Sequence, residues 1–264
     1  MNRVKAVFFD IDGTLVPLGH NGIPHEVKEA IARLRDNGVK VFISTGRHPE
    51  WIDNLGDSEF DGYVTVNGGM CLLSDRKTCI YKKTIDPQDI HRLISFSGHS
   101  DLPIVVVPAE GGIFINRMND EVRYVADLLH LSHFNIQALQ NACGKEIVQL
   151  IAFGSESERS KSGLMKDILK NCVATSWNPL FCDIIPTGSD KSVGIDRMIE
   201  YFGIPLSETM AFGDGDNDIG MLRHVAIGIA MGNAEDNVKK AADYVTTPAI
   251  ENGVVNALRH FKLL

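Results

Sequence analysis

The 264-residue chain has no apolar run near the roughly 18 residues that a membrane-crossing helix requires; its longest candidates, such as 225–231, are of strand length. No membrane partner is expected. Arg3 and Lys5 precede the apolar residues 6–9 in the manner of a signal peptide, but Asp10 and Asp12 cut that segment off, and the expectation is a cytoplasmic protein. The five cysteines, at 71, 79, 143, 172 and 182, are odd in number and form no C-x-x-C pair. That fits single core positions in a reducing compartment better than a disulfide frame or a zinc site. Positive charge is also scarce. Lys and Arg total 26 against 34 Asp and Glu, a net charge of -8, which argues against holding nucleic acid or an anionic surface by bulk charge. G-x-x-x-x-G-K-[ST] is absent, and the G-x-G begun at Gly213 and Gly215 meets Asp218 where its third glycine belongs. Neither a P-loop nor a dinucleotide fingerprint is supported. There is no internal repeat and no low-complexity tract. The expected partner is a small molecule.

What is present is an ordinary globular composition, 44% apolar and 23% charged, in a chain long enough for two domains at roughly 150 residues each. Short β-branched runs alternate with longer amphipathic ones, the pattern of βαβ units on a parallel sheet. Strands are expected at 6–9, 39–43 and 63–66, and again at 209–212, 226–230 and 244–246. Val27, Ala30, Ile31 and Leu34 follow helical spacing, as do Val193, Met198, Ile199 and Phe202 ahead of Gly203. Between these halves Asp86-Pro87 with Asp89 reads as a helix start, and 104–107, 113–116 and 147–153 read as strands. The predicted organisation is an outer domain of 1–82 and 188–264, split by an α+β module over 83–187. That module carries 9 Lys/Arg and 12 Asp/Glu and offers no basic surface. His130 and His133, three apart on an expected helix of the module, have no third ligand nearby and read as surface or packing residues.

The chemistry concentrates at strand ends. Asp10-Ile11-Asp12-Gly13-Thr14 follows the first buried strand, where a parallel α/β sheet places its ligands. Residues two apart on an extended segment project to the same side, so Asp10 and Asp12 can address one small object. A second acidic run, Gly213-Asp214-Gly215-Asp216-Asn217-Asp218, follows the strand at 209–212. Its spacing suggests a calcium loop, but Ile219 and Val225 stand where an EF-hand needs Gly and Glu. The alternative is that two clusters some 200 positions apart meet around a hard divalent cation. Ser44-Thr45-Gly46-Arg47 offers a hydroxyl and backbone N–H groups to an anion. Lys191 stands in the first turn of a helix, where the dipole opposes a cation unless an anion sits beside it.

Together Asp10-x-Asp12-Gly13-Thr14, Thr45-Gly46-Arg47, Lys191 and Gly213-Asp214-x-x-Asn217-Asp218 resemble the four ordered motifs of the haloacid dehalogenase superfamily. The inserted module and Asn67-Gly68-Gly69 resemble its Cof-type branch, which carries an α+β cap of class IIB. The resemblance implies a Rossmann-like parallel-sheet core with an inserted cap, and a phosphatase acting on small phosphate monoesters, hexose phosphates foremost. It implies Asp10 as the nucleophile that forms an aspartyl phosphate and Asp12 as the acid and base. Mg2+ would be held by Asp10, Asp214 and the backbone carbonyl of Asp12, and Thr45, Gly46, Lys191 and Asn217 would grip the phosphoryl oxygens. Asp218 would orient Lys191 or metal-bound water. Arg47 is left between facing the substrate and bracing its loop. A monomer or weak oligomer is expected. Asn116, Arg117, Arg123, Glu146 and Gln149 are the cap's candidate polar contacts. A phosphomutase of the same superfamily and a phosphate-metabolite sensor that never turns over are the alternatives; Asp12 argues against the sensor, which gains nothing from a group that hastens hydrolysis.

Overall fold

The computed structural model describes residues 4–128 and 136–264, so His130 and His133 lie outside the described residues. The chain divides into two compact units, one of residues 1–81 with 190–264 and the other of 82–189. In chain order the elements are β1 (Ala6–Phe9), α1 (His25–Asp36), β2 (Lys40–Ser44), β3 (Gly62–Thr65), β4 (Met70–Leu73) and β5 (Cys79–Lys82). There follow α2 (Pro87–Ser97), β6 (Ile104–Pro108), β7 (Ile113–Ile115), α3 (Asp120–Leu128), β8 (Ile136–Ala138), β9 (Ile147–Phe153), α4 (Glu156–Lys161), β10 (Cys172–Asn178) and β11 (Phe181–Pro186). The chain ends with α5 (Lys191–Phe202), β12 (Thr209–Gly213), α6 (Ile219–His224), β13 (Ile227–Ala230), α7 (Asp236–Lys239), β14 (Tyr244–Val245) and α8 (Gly253–His260).

The first unit is an eight-stranded sheet in the order β14-β13-β12-β1-β2-β3-β4-β5. From β14 to β3 every pairing is parallel, and β3 turns back antiparallel to β4. The sheet is covered on both faces, which is why β1 reads as unbroken apolar sequence rather than alternating. Val7 and Phe9 pack with Val27, Ile31 and Leu34 of α1 and with Leu258 of α8. Ala6 and Phe8 pack on the other side with Ile195 and Met198 of α5 and with Met221 of α6. Stacked rings, Phe8 on Phe42 at 4.7 Å and Phe9 on Phe212 at 5.0 Å, join β1 to its two neighbours. Phe9 is in register with both Ile43 and Phe212. The residues just beyond, Asp10, Thr45 and Asp214, therefore leave the sheet side by side.

The second unit is a six-stranded sheet in the order β10-β11-β9-β6-β7-β8, antiparallel except between β7 and β8. Ile104, Val106, Phe114, Leu150, Ala152 and Ile184 share a core with Ile90 and Leu93 of α2. The helix starts as the sequence predicts, with the Asp86 side chain accepting the amide of Gln88 and proline at its first position. Asp89 is fully buried and accepts the amides of Lys170 at 3.2 Å and Asn171 at 3.0 Å, together with the guanidinium of Arg92.

Sequence and structure differ at several elements. Val66, expected at the end of a strand, instead begins a tight left-handed turn over Val66–Gly68. The strands β4 and β5 have no counterpart in the sequence reading, and β5 is exposed or half-buried throughout. The pair β10 and β11 was also not anticipated: Asp183 interrupts the apolar pattern of β11, and it is accommodated by Gln149 of β9, whose Nε2 donates to it at 3.0 Å.

Candidate active site

The aligned strand ends bring the two acidic runs together. Asp10 ends β1 with its amide donated to Phe212 of β12 at 3.0 Å. The chain then turns at Gly13, whose φ of +86° and whose position against the Asp214 carboxylate leave no room for a Cβ. That close approach lets Thr14 donate its hydroxyl to Asp214 Oδ1 at 2.8 Å. Asn233 closes the other side, donating Nδ2 to Asp214 Oδ2 at 3.1 Å and to the Gly13 carbonyl at 3.0 Å.

Oxygens of Asp10, Asp214 and Asp218 lie within 4.8 Å of one another. The cation facing them is Lys191, fully buried, which donates Nζ to Asp10 Oδ1 at 2.7 Å and to Asp218 Oδ1 at 2.5 Å. Its place in the first turn of α5 is thus explained by the anions beside it, which outweigh both its burial and the helix dipole. Burial lowers the Lys191 pKa, and the two carboxylates more than reverse that, leaving it raised. Asp218 is committed on both oxygens, since Oδ2 accepts the amides of Asp214 and Gly215 at 2.9 Å each. Among the described residues the other oxygen of Asp10 has no hydrogen-bond donor. Burial pushes the Asp10 pKa well above the usual carboxylate range, Lys191 opposes that, and Asp218 and Asp214 reinforce it. Burial and the Asp218 charge likewise push Asp214 up to about 7, against the Thr14 hydrogen bond. The cluster holds more negative charge than one lysine offsets, and its hard oxygen donors suit a small divalent cation.

Asp12 points elsewhere. Its two oxygens accept Nε and Nη2 of Arg47, each at 2.8 Å, a paired fork geometry. Arg47 is itself buried and tied down by Nη1 to the carbonyl of Trp51 at 3.0 Å. In the described structure Arg47 thus pairs with Asp12 and with the backbone of its own loop. Thr45 is buried, with its hydroxyl accepting the Arg47 amide at 3.1 Å, and Gly46 follows it at the mouth of the loop. Asn217, in a 3-10 turn over Asp216–Asp218, donates Nδ2 to Asn67 Oδ1 at 2.9 Å.

Two residues at this site carry no chemical signal in a single sequence. Asn233 looks like one more turn residue, and its contacts span 220 positions. Asn67 stands in the Asn67-Gly68-Gly69 run, whose resemblance assigns it no role, and only its neighbours in space give it one. The cap's candidate polar residues are mostly engaged locally. Asn116 bonds the backbone at Ile104 and Leu102, Arg117 pairs with Asp101, Arg123 with Asp120, and Glu146 with Lys82. Gln149 is buried against Asp183 with its Oε1 unpaired.

Comparison with known proteins places this geometry in a family. A family model described as haloacid dehalogenase-like hydrolase matches residues 7–258. The candidate phosphatase YkrA of Bacillus subtilis (strain 168) is 31% identical over 270 residues, covering 98% of each chain. The 5-amino-6-(5-phospho-D-ribitylamino)uracil phosphatase YcsE of the same organism is 26% identical over 263 residues, covering 98% of this chain and 96% of its own. Among solved structures, the HAD subclass IIB sugar phosphatase BT4131 superposes with a TM-score of 0.91 at 38% identity, over 99% of this chain and 100% of that one.

Proposed function

The chain belongs to the haloacid dehalogenase-like hydrolases, in their Cof-type branch with a class IIB cap, and it is a phosphatase; from that premise we propose that it hydrolyses small phosphate monoesters, hexose phosphates foremost, with Mg2+ and through an aspartyl phosphate on Asp10. The observation that carries the reading is the cluster of Asp10, Asp214, Asp218 and Lys191, in which one carboxylate oxygen of Asp10 remains uncommitted. We assign residues 83–187 as the cap and the remainder as the catalytic core.

Asp10 attacks phosphorus with its uncommitted oxygen, the ester P–O bond breaks, and the leaving alkoxide takes a proton from Asp12. Water then attacks the phosphorus of the acyl phosphate, gives its proton to Asp12, and the bond between phosphorus and Asp10 breaks to release phosphate. Dividing one displacement into two lets the same pair of carboxylates serve both. In the described structure Asp12 is held by Arg47, so the proton transfers require it to turn from that pair toward the reacting oxygen. Thr45, the Gly46 amide, Lys191 and Asn217 hold the phosphoryl oxygens, and Lys191 is kept in place by Asp218. Asp10, Asp214 and the main-chain carbonyl of Asp12 would hold Mg2+, which when bound offsets the repulsion between nucleophile and phosphate. Hexose phosphates are favoured by the acidic chain and by the sugar phosphatase it resembles, since no basic surface for polyanions is encoded.

The test is turnover of p-nitrophenyl phosphate and a panel of sugar phosphates with and without magnesium. Activity is expected to be abolished by EDTA, restored by added magnesium, and absent in Asp10→Asn. Undiminished turnover by that variant would overturn the covalent scheme, and isomerised sugar phosphate in place of free phosphate would overturn hydrolysis in favour of a phosphomutase.

A further inference from the structure

The turn over Val66–Gly68 plays no part in the chemistry above, yet it touches three of the elements that would hold phosphate. Three successive residues adopt left-handed φ: +52° at Val66, +50° at Asn67 and +87° at Gly68. Such a conformation is rare for a β-branched residue and costs on the order of 1–3 kcal/mol per non-glycine position, so it persists only where the surroundings impose it. Here they do. The Val66 amide donates to the Arg47 carbonyl at 3.1 Å and the Asn67 amide to the Thr45 carbonyl at 3.0 Å, which fastens the turn to the loop after β2. Gly68 lies so close to the Asp190 carbonyl that a Cβ would stand 1.8 Å from it, which sets the turn against the start of α5, where Lys191 is. The third link is Asn67 itself, 1% exposed, whose Oδ1 accepts Asn217 Nδ2 at 2.9 Å.

A carboxamide can face a phosphoryl oxygen with its NH2 or with its own oxygen, and only the first is attractive. In the structure Asn67 turns its oxygen toward Asn217, and the Asn217 NH2 faces it. The second N–H of that group is then available to an anion, and among the described residues it has no protein partner. A left-handed backbone is unfavourable for most residues but accessible to asparagine, so position 67 needs both that conformation and a side-chain acceptor. We propose that Asn67 is a positioning residue for phosphoryl binding, which fixes the orientation of the Asn217 carboxamide while its turn ties Thr45 and the start of α5 to the same frame. This rests on the phosphatase reading.

Asn67→Gly removes the acceptor and keeps the left-handed backbone accessible. The readouts are the inhibition constant for inorganic phosphate, kcat and KM with p-nitrophenyl phosphate, phosphate affinity by calorimetry in magnesium, and the melting temperature. Phosphate affinity is expected to fall about tenfold, in line with the loss of an ordered hydrogen bond to a charged group, with KM rising in step and melting unchanged. Because Asn67 acts through Asn217, Asn67→Gly combined with Asn217→Ala is expected to be no worse than Asn217→Ala alone. Wild-type phosphate affinity in Asn67→Gly, or multiplicative effects in the double variant, would each overturn the assignment. A wild-type protein that hydrolysed no phosphate ester would overturn the phosphatase reading alone, because calorimetry with inorganic phosphate would still decide the part played by Asn67.

Discussion

Each unit of the molecule buries carboxylates, and the two do so in opposite ways. In the second unit Asp89 accepts two backbone amides and a guanidinium. Burial alone would raise its pKa, but those donors outweigh it and the carboxyl is held below its ordinary value. In the first unit Asp10, Asp214 and Asp218 crowd around one lysine, and Asp10 and Asp214 are pushed above the ordinary range. A carboxylate that holds a fold together is surrounded by enough donors, whereas one that performs chemistry is left short of them. On its own a buried Asp says nothing of function; the balance of donors around it does.

The sharpest way to break this contrast is to neutralise one member of each kind. Asp10→Asn is expected to lower kcat by at least about 10⁴-fold, roughly 5.5 kcal/mol of activation free energy. It also removes a charge that its neighbours disfavour, so in EDTA the variant is expected to melt no lower than the wild type. A melting temperature several degrees lower, by scanning calorimetry, would mean that the cluster is a stabilising structural feature instead.

Within the first unit, Asp12→Asn is expected to separate the two half-reactions. An aryl phosphate carries a leaving group that needs no acid, while water attacking the acyl phosphate still needs a base. Stopped-flow measurements with p-nitrophenyl phosphate should therefore show a burst of one product equivalent per active site, followed by turnover slowed by about 10²-fold or more. Loss of the burst along with turnover would count against Asp12 as the base.

For the second unit the sign reverses. Asp89→Ala would leave the Lys170 and Asn171 amides and the Arg92 guanidinium without their acceptor. Taking the shared acceptor from two backbone amides and a half-exposed guanidinium costs about 2–3 kcal/mol, to be read as faster hydrogen exchange along α2 and β10, with catalytic constants of the folded fraction unchanged. A cost below about 1 kcal/mol would place Asp89 among the ordinary surface pairs.

Much of this was legible beforehand, for reasons that differ between the two units. Strand β1 and the buried face of α1 follow from apolar spacing, and the strand-end position of Asp10, Asp12 and Asp214 follows from the parallel sheet. The approach of two acidic runs was expected because both leave adjacent strand ends. Most carboxylate partners were not. Asp218 was paired with Lys191 only through the family resemblance, Arg47 was not assigned to Asp12, and Asp89 read only as a first-turn residue of a helix. These pairings depend on contacts between positions 27 to 181 apart for the first unit and about 80 apart for the amides at Asp89. Local periodicity carries no information about such contacts. The left-handed Val66 is a second case, since its conformation is imposed by Arg47 and Thr45 against its own preference.

The smallest expected effect is a pH dependence that should run in opposite directions in the two units. A carboxyl whose folded pKa is depressed, such as Asp89, contributes stability that is complete above its unfolded value near 3.9 and is lost as pH falls through the lower folded value. Carboxyls whose folded pKa is raised do the reverse. Asp214, at about 7 when no cation is bound, binds a proton in the folded state that the unfolded chain has released, so folding is favoured as pH falls through neutrality. In EDTA, amides along β1 and β12 should exchange more slowly at pH 6 than at pH 8 after correction for intrinsic rates, whereas protection in α2 should hold over that interval and fall below about pH 4. Saturating magnesium should abolish the first dependence, because a bound cation takes the place of the proton as the source of positive charge, and should leave the second untouched. If both units instead lost protection together at the same pH, the distinction between a satisfied carboxylate and an unsatisfied cluster would not govern their stability.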